Sequence, residues 1–170
     1  RLPRIANFDD LDPLRLEPGV SVIFLEAGKP IPGNADLVII PGSKSTIADL
    51  NALRAAGWDI DLNAHVRRGG RVLGLCGGFQ ILGRSIHDPQ GLEGAAGSVS
   101  GLNLLKIETT LVAEKTLKHV TGTHVVSGKP VEGYEIHLGT SQGPDCENPF
   151  ATIAERNDGA TSSDGLVSGT

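Results

Sequence analysis

A glycine-flanked cysteine at the end of an apolar strand constrains this chain more than any other feature. Residues Val72-Leu73-Gly74-Leu75-Cys76-Gly77-Gly78-Phe79-Gln80-Ile81-Leu82 read as a short buried strand, then G-x-C-x-G, then the start of a helix. With serine in place of cysteine, the same pattern makes a nucleophile elbow. A strand-to-helix turn that sharp puts the central residue in a strained backbone conformation, and side chains on its neighbours would collide there. The helix N-terminus behind the sulfur favours the thiolate, the reactive species. The backbone N–H of Gly77, next after the cysteine, is placed to donate to an oxyanion. A free cysteine is more often just a small buried hydrophobe. For Cys146, in Gly143-Pro144-Asp145-Cys146-Glu147-Asn148, nothing argues otherwise. For Cys76 the glycines at the elbow positions and the strand end turn the reading to a nucleophile.

The surroundings suit such an elbow. Val20 to Leu25, Leu37 to Ile40 and Val72 to Leu75 are compact apolar runs bounded by Gly or Pro, as strands of a buried parallel sheet should be. Between them Ile47, Leu50 and Leu53 share one helical face, with Thr46 and Asp49 at capping-box spacing and Gly57 as the stop. Asp59 is the expected cap of a second helix that carries Leu62 and Val66 and ends at Arg67-Arg68-Gly69-Gly70. This alternation predicts an α/β fold around a mostly parallel central sheet flanked by helices. The pattern changes at residues 88–101 (DPQGLEGAAGSVSG), a stretch of turn residues without periodicity that reads as a surface excursion. Lys106 to Val112, Lys118 to Val126, Val131 to Leu138 and Ala151 to Glu155 then alternate. They predict antiparallel strands added to the edge of the parallel core in the second half.

Composition bounds the rest. With 170 residues, 39% hydrophobic and 21% charged, residues 1–170 are expected to form one globular domain with a core of its own. A net charge of -5 with scattered basic residues offers no footprint for nucleic acid. No apolar run approaches a bilayer span, so no membrane partner is expected. Two cysteines make neither a disulfide framework nor a metal pattern, which points to a reduced, cytoplasmic setting and no metal site. There is no methionine, and the expectation is a segment of a longer polypeptide.

A second loop stands at a strand end, Ile40-Pro41-Gly42-Ser43-Lys44-Ser45-Thr46. Its small residues and N–H groups could hold an anion, but the glycine that should precede the lysine of a phosphate loop is missing. Gly42 and Ser43 make better sense as the second oxyanion donor, since adjacent parallel strands bring their C-terminal ends together.

Together these residues carry a resemblance. Gly74, Cys76, Gly78 and Gln80, as G-x-C-x-G-x-Q, resemble the nucleophile motif of class I (triad-type) glutamine amidotransferases, a flavodoxin-like fold. Pro41-Gly42-Ser43-Lys44 and Gly133-Tyr134-Glu135-Ile136-His137 are similar to the branch found in cobyric acid synthases and cobyrinate a,c-diamide synthases. The opening Arg1-Leu2-Pro3-Arg4-Ile5-Ala6-Asn7-Phe8-Asp9-Asp10-Leu11-Asp12 and the DPQGLEG stretch narrow the resemblance to the cobyric acid synthase amidotransferase domain.

The resemblance implies glutamine as substrate, Cys76 as nucleophile, and Gly42, Ser43, Gly77 and Gln80 around the oxyanion and the bound glutamine. It implies no cofactor in this domain. ATP and Mg would belong to a separate N-terminal synthetase domain, through which the ammonia meets a corrinoid, adenosylcobyrinic acid a,c-diamide, in cobalamin biosynthesis. The family's catalytic histidine lies in a segment similar to G-T-Y-V-H-G, expected after Gly169-Thr170, so the isolated 170 residues should be a weak or inactive glutaminase. His137 is a candidate for the glutamine pocket rather than the base; His65, His87, His119 and His124 are expected to be structural or at the surface. The family lacks the usual acidic triad member, and no Asp or Glu is nominated. The alternatives are a related amidotransferase acting on a peptidoglycan precursor, an oxidant-sensing elbow-cysteine protein, and a non-catalytic domain that keeps the fold. The second of these explains neither Gln80 nor the Tyr134–His137 segment.

Overall fold

The computed structural model describes residues 11–42 and 44–170, the side chains of residues 114–116 and 137 excepted. The opening segment of the resemblance, up to Asp10, and Ser43 therefore lie outside the described residues.

Two sheets share one core. The first has four strands in the order β1 (Leu37–Ile40), β2 (Arg71–Gly74), β10 (Val167–Gly169) and β9 (Ala160–Thr161); β1, β2 and β10 are parallel, and β9 is an antiparallel edge. The second holds β4 (Gly97–Ser100), β3 (Ser85–Asp88), β5 (Glu108–His124), β7 (Ala151–Ile153) and β8 (Arg156–Asp158), with β6 (Pro130–Gln142) paired to β5. Helices α2 (Thr46–Ala55) and α3 (Trp58–Arg67) connect β1 to β2, and α4 (Gly77–Leu82) follows β2; a short α1 (Asp12–Leu16) precedes them. Leu50 and Leu53 of α2, Leu62 of α3, Ile81 and Leu82 of α4 and Val72 of β2 are buried in a single cluster that continues through Ile86 and Ile107. Burying each such side chain contributes about 1.5–3 kcal/mol. Among the described residues, no helix is long and apolar enough to cross a membrane.

The fold class is the expected one, with several local differences. Val20 to Leu25 forms no strand; Val20, Ile23 and Phe24 are exposed, and within the run only Leu25 packs against the core. An apolar run signals burial tendency, but a ladder also needs a neighbouring strand. The capping box is also absent. Ser45, not Thr46, is the N-cap of α2, and its side chain makes no cap hydrogen bond. The second helix begins at Trp58 after Gly57 in the left-handed region, φ 75°, so Asp59 lies inside the first turn rather than at the cap. Lys106 to Val112 and Lys118 to Val126 merge into β5, 17 residues long, with a register shift between Thr110 and Lys115. The residues between them, Ala113-Glu114-Lys115-Thr116-Leu117, contain no turn former, so the ladder bulges and continues. Most antiparallel strands therefore build a sheet of their own, and only β9 joins the edge of the parallel one.

One turn is strained. β7 and β8 are joined by Ala154 and Glu155, at φ 47° and 66°. Two successive positive φ values suit Asn-Gly, and for ordinary residues each costs about 1–2 kcal/mol. The double change Ala154→Asn/Glu155→Gly is expected to stabilise the domain by about 1–2 kcal/mol, read as a raised urea midpoint; an unchanged midpoint would show that the turn stores no strain.

Candidate active site

The elbow sits where β2 ends and α4 begins. Cys76 has φ 51° and ψ -115°, a conformation that side chains rarely adopt. Its neighbours show what enforces this geometry. A Cβ on Gly78 would lie 2.0 Å from the Ile40 carbonyl oxygen, and one on Gly74 would lie 2.7 Å from the Phe79 nitrogen. The helix start is thus pressed against the end of β1, at a distance only glycine permits. From the other side, the Cys76 N–H donates to the Thr170 carbonyl at 2.7 Å, one residue beyond β10.

The thiol opens into a cavity of about 500 Å³ between the two sheets. Its walls include Phe79 and Gln80 of α4, Glu135 and Ile136 of β6, Arg156 of β8, and Thr170. The Cys76 thiol donates to the Ile136 carbonyl at 3.2 Å. Gln80 is buried and engaged at both ends: its Nε2 donates to the Leu138 carbonyl at 2.9 Å, and its Oε1 accepts from the Thr46 hydroxyl at 3.0 Å. It therefore ties the elbow helix to β6 on one side and to α2 on the other. Gly42 passes beside the nucleophile, where a Cβ would meet the Cys76 Cβ at 3.0 Å and Sγ at 3.6 Å. Gly77 supplies the first N–H of α4, one that no intrahelical carbonyl can satisfy.

Cys76, Gly42, Gly77 and Gln80 are thus brought together. Ser43 lies outside the described residues, as does the His137 side chain, although the His137 backbone pairs with Thr116 in the β5–β6 ladder. The other histidines stand in structural settings. His65 is buried beneath Gly70, with Nε2 at 3.0 Å from the Arg71 carbonyl. His87 lies between Ser85 and Ser98, His119 pairs with Glu132, and His124 meets Ser127. Cys146 lines the cavity too, but burial first and then the Asp145 carboxylate push its thiol up, away from the thiolate.

Several groups near the site were not singled out from the sequence. Arg156 bridges Glu135 at 2.6 Å and Asp158 at 3.2 Å along the cavity wall. Asp88, buried at the end of β3, accepts the N–H groups of Leu92 and Glu93, each at 2.8 Å. The Glu93 carboxylate accepts from Ser45 Oγ at 3.3 Å, Thr46 N–H at 3.0 Å and Ile47 N–H at 2.8 Å. The cap that α2 lacks locally is supplied from the turn after β3. No spacing rule reveals a partner so far along the chain.

With the geometry in view, comparison with known proteins is specific. The model of the CobB/CobQ-like glutamine amidotransferase domain matches residues 1–170. A cobyric acid synthase of Methylorubrum populi is 61% identical over 171 residues, covering 100% of this chain and 35% of that protein. The cobyric acid synthases of Paracoccus denitrificans and Cereibacter sphaeroides are 62% and 60% identical, over 99% and 98% of this chain. The chain spans about a third of the length of these curated relatives, at 34–35%. Among solved structures, a chain of PurLQS from Thermotoga maritima superposes with TM-score 0.68 at 18% identity, covering 97% of this chain and 80% of that one. A glutamine amidotransferase crystal structure gives TM-score 0.53 at 16% identity, covering 79% and 68%. At such identities the structures speak to the fold alone.

The Asp88 turn yields a pH prediction. The Glu93 N–H, the largest influence, holds the Asp88 carboxyl below its ordinary value of 3.8, assisted by the Leu92 and Gly91 N–H groups and opposed by burial. A depressed carboxyl stabilises the fold above its unfolded value, and the stabilisation disappears as pH falls through the lower folded value. Asp88→Asn should therefore be less stable than wild type at neutral pH, with the two denaturation midpoints converging as pH falls below 3.8. A gap that persists unchanged into acid would remove the carboxylate from the account.

Proposed function

The chain belongs to the family of CobB/CobQ-like glutamine amidotransferase domains, and from this we propose that Cys76 hydrolyses glutamine to release ammonia. The observation that carries the reading is the sulfur itself, on a positive-φ elbow at the wall of a cavity with room for glutamine. The Cys76 thiolate attacks the side-chain carboxamide carbon. The oxygen takes the negative charge and accepts hydrogen bonds from the Gly77 N–H and the Gly42 loop, including Ser43. The tetrahedral adduct collapses, the nitrogen leaves as ammonia after gaining a proton, and a γ-glutamyl thioester remains on Cys76. Water then attacks the thioester, freeing glutamate and restoring the thiol. Gln80 frames the substrate by fixing β6 as the facing wall, and we assign His137, whose backbone lies in β6, to the glutamine pocket.

The proton must have an acceptor, and we assign it to a histidine carried past Thr170. β10 runs parallel to β2, and the Thr170 carbonyl bonds the Cys76 N–H, so the chain direction there leads along the nucleophile. The ammonia serves ATP-dependent amidation of corrinoid carboxylates, in a cytoplasmic enzyme whose synthetase domain binds ATP and Mg. The identity to several cobyric acid synthases favours this over a peptidoglycan-directed relative or a non-catalytic domain.

Two measurements test the reading. Incubation with the glutamine-mimicking electrophile diazo-oxo-norleucine should add one adduct, seen by intact mass, that Cys76→Ser abolishes. A folded full-length protein that gives no adduct overturns the proposal. The 170 residues alone should hydrolyse glutamine far more slowly than the full-length protein, and equal turnover would place the base within this chain.

A further inference from the structure

The turn-rich segment after β3 reaches back to the catalytic loop. Asp88 clasps the turn through the Leu92 and Glu93 N–H groups, and this aims the Glu93 side chain at the start of α2. There its two oxygens take three donors: the Thr46 N–H on Oε1, and the Ile47 N–H and Ser45 hydroxyl on Oε2. An N-cap serine ordinarily turns its own oxygen onto the second or third N–H of its helix. Ser45 makes no such bond, and a carboxylate from 46 to 48 residues away does the work.

This displacement has a geometric consequence. Among the described residues, the loop that carries Gly42 past Cys76 is anchored at the end of β1, held in the sheet, and at the start of α2, held by Glu93. In the same turn whose Thr46 and Ile47 N–H groups Glu93 engages, the Thr46 hydroxyl holds Gln80, which in turn holds β6 at Leu138. A local cap would secure α2 alone. The remote one locks the oxyanion loop to the β3–β4 turn and, through Thr46, to the far wall of the cavity.

We infer that Glu93 is a positioning residue for glutamine hydrolysis, fixing the Gly42 loop against Cys76 at the distance the oxyanion requires, with Asp88 fixing Glu93. The inference rests on the amidotransferase reading above. It goes beyond that reading by giving the segment after β3 a part in the reaction.

The experiment measures steady-state glutaminase and alkylation of Cys76 by iodoacetamide in the full-length protein. The Cys76 thiolate attacks the methylene carbon of iodoacetamide and expels iodide without developing an oxyanion, so alkylation reports access to the thiol without the loop's contribution. For Glu93→Ala, kcat should fall about 10- to 100-fold, up to the loss seen when one oxyanion donor is removed. KM should stay within about threefold and alkylation within about twofold, because the donor acts on the transition state. Glu93→Gln keeps an acceptor oxygen for the α2 N–H groups and should recover most of the lost kcat. If Glu93→Ala does not fold, Glu93→Ser carries the test, since its short hydroxyl cannot reach the Thr46 and Ile47 N–H groups, with the same fall of about 10- to 100-fold confined to kcat. A kcat within about twofold of wild type in the folded variant overturns the inference, as does a fall in kcat matched by an equal fall in alkylation. Absence of glutaminase in the wild type, or its survival in Cys76→Ser, overturns the amidotransferase reading instead.

Discussion

Everything at this site depends on the Ile40 carbonyl oxygen standing where a side chain at position 78 would have to be. That contact presses the first turn of α4 against the end of β1, and the chain can leave β2 for α4 only through a residue at positive φ. The residue is Cys76. The strain is local and small beside the burial of Leu50, Leu53, Leu62, Ile81 and Leu82, which fixes the helices and sheet on either side. A well-packed core thus holds one residue in a conformation it would not choose, with its sulfur pointing into the cavity.

Around the elbow the parallel and antiparallel sheets have different tasks. The parallel strands set the positions of Cys76 and of the Gly42 loop, because β1 and β2 end side by side in register, Ile40 beside Gly74. The second sheet supplies the opposite wall, and two backbone carbonyls of β6 meet the elbow: Ile136 faces the thiol and Leu138 faces Gln80. Alternation along β6 permits this, since the carbonyls lie along the strand while side chains point to its faces.

How much of this was legible in the sequence depended on range. The elbow, β1, β2 and α2 were readable because their signals are local: glycines at fixed offsets, β-branched runs, one apolar helical face. Gly42 beside Cys76 followed from one further step, that parallel neighbours end together. What was not legible was pairing across distance. The apolar run at Val20–Leu25 carried the composition of a strand but found no ladder among the described residues. The two stretches that merged into β5 were separated by residues that were weak strand formers but not turn formers. Glu93 was passed over because its partners, the N–H groups of Thr46 and Ile47, are backbone groups that every sequence has. Asp88 and Glu93 look like ordinary loop acids until the turn between them is seen.

The bond from the Cys76 N–H to the Thr170 carbonyl also has a consequence for the order in which the domain is made. β2 can find β1 as soon as both have left the ribosome, but its other neighbour, β10, is almost the last segment of these 170 residues to be synthesised. Long-range pairing of this kind is slow to form, since the entropy of closing the intervening chain must be overcome before the contact is gained. The backbone bond that braces the elbow from that side therefore cannot form until β10 and Thr170 have been made. A chain that has not yet made β10 carries the elbow without that brace.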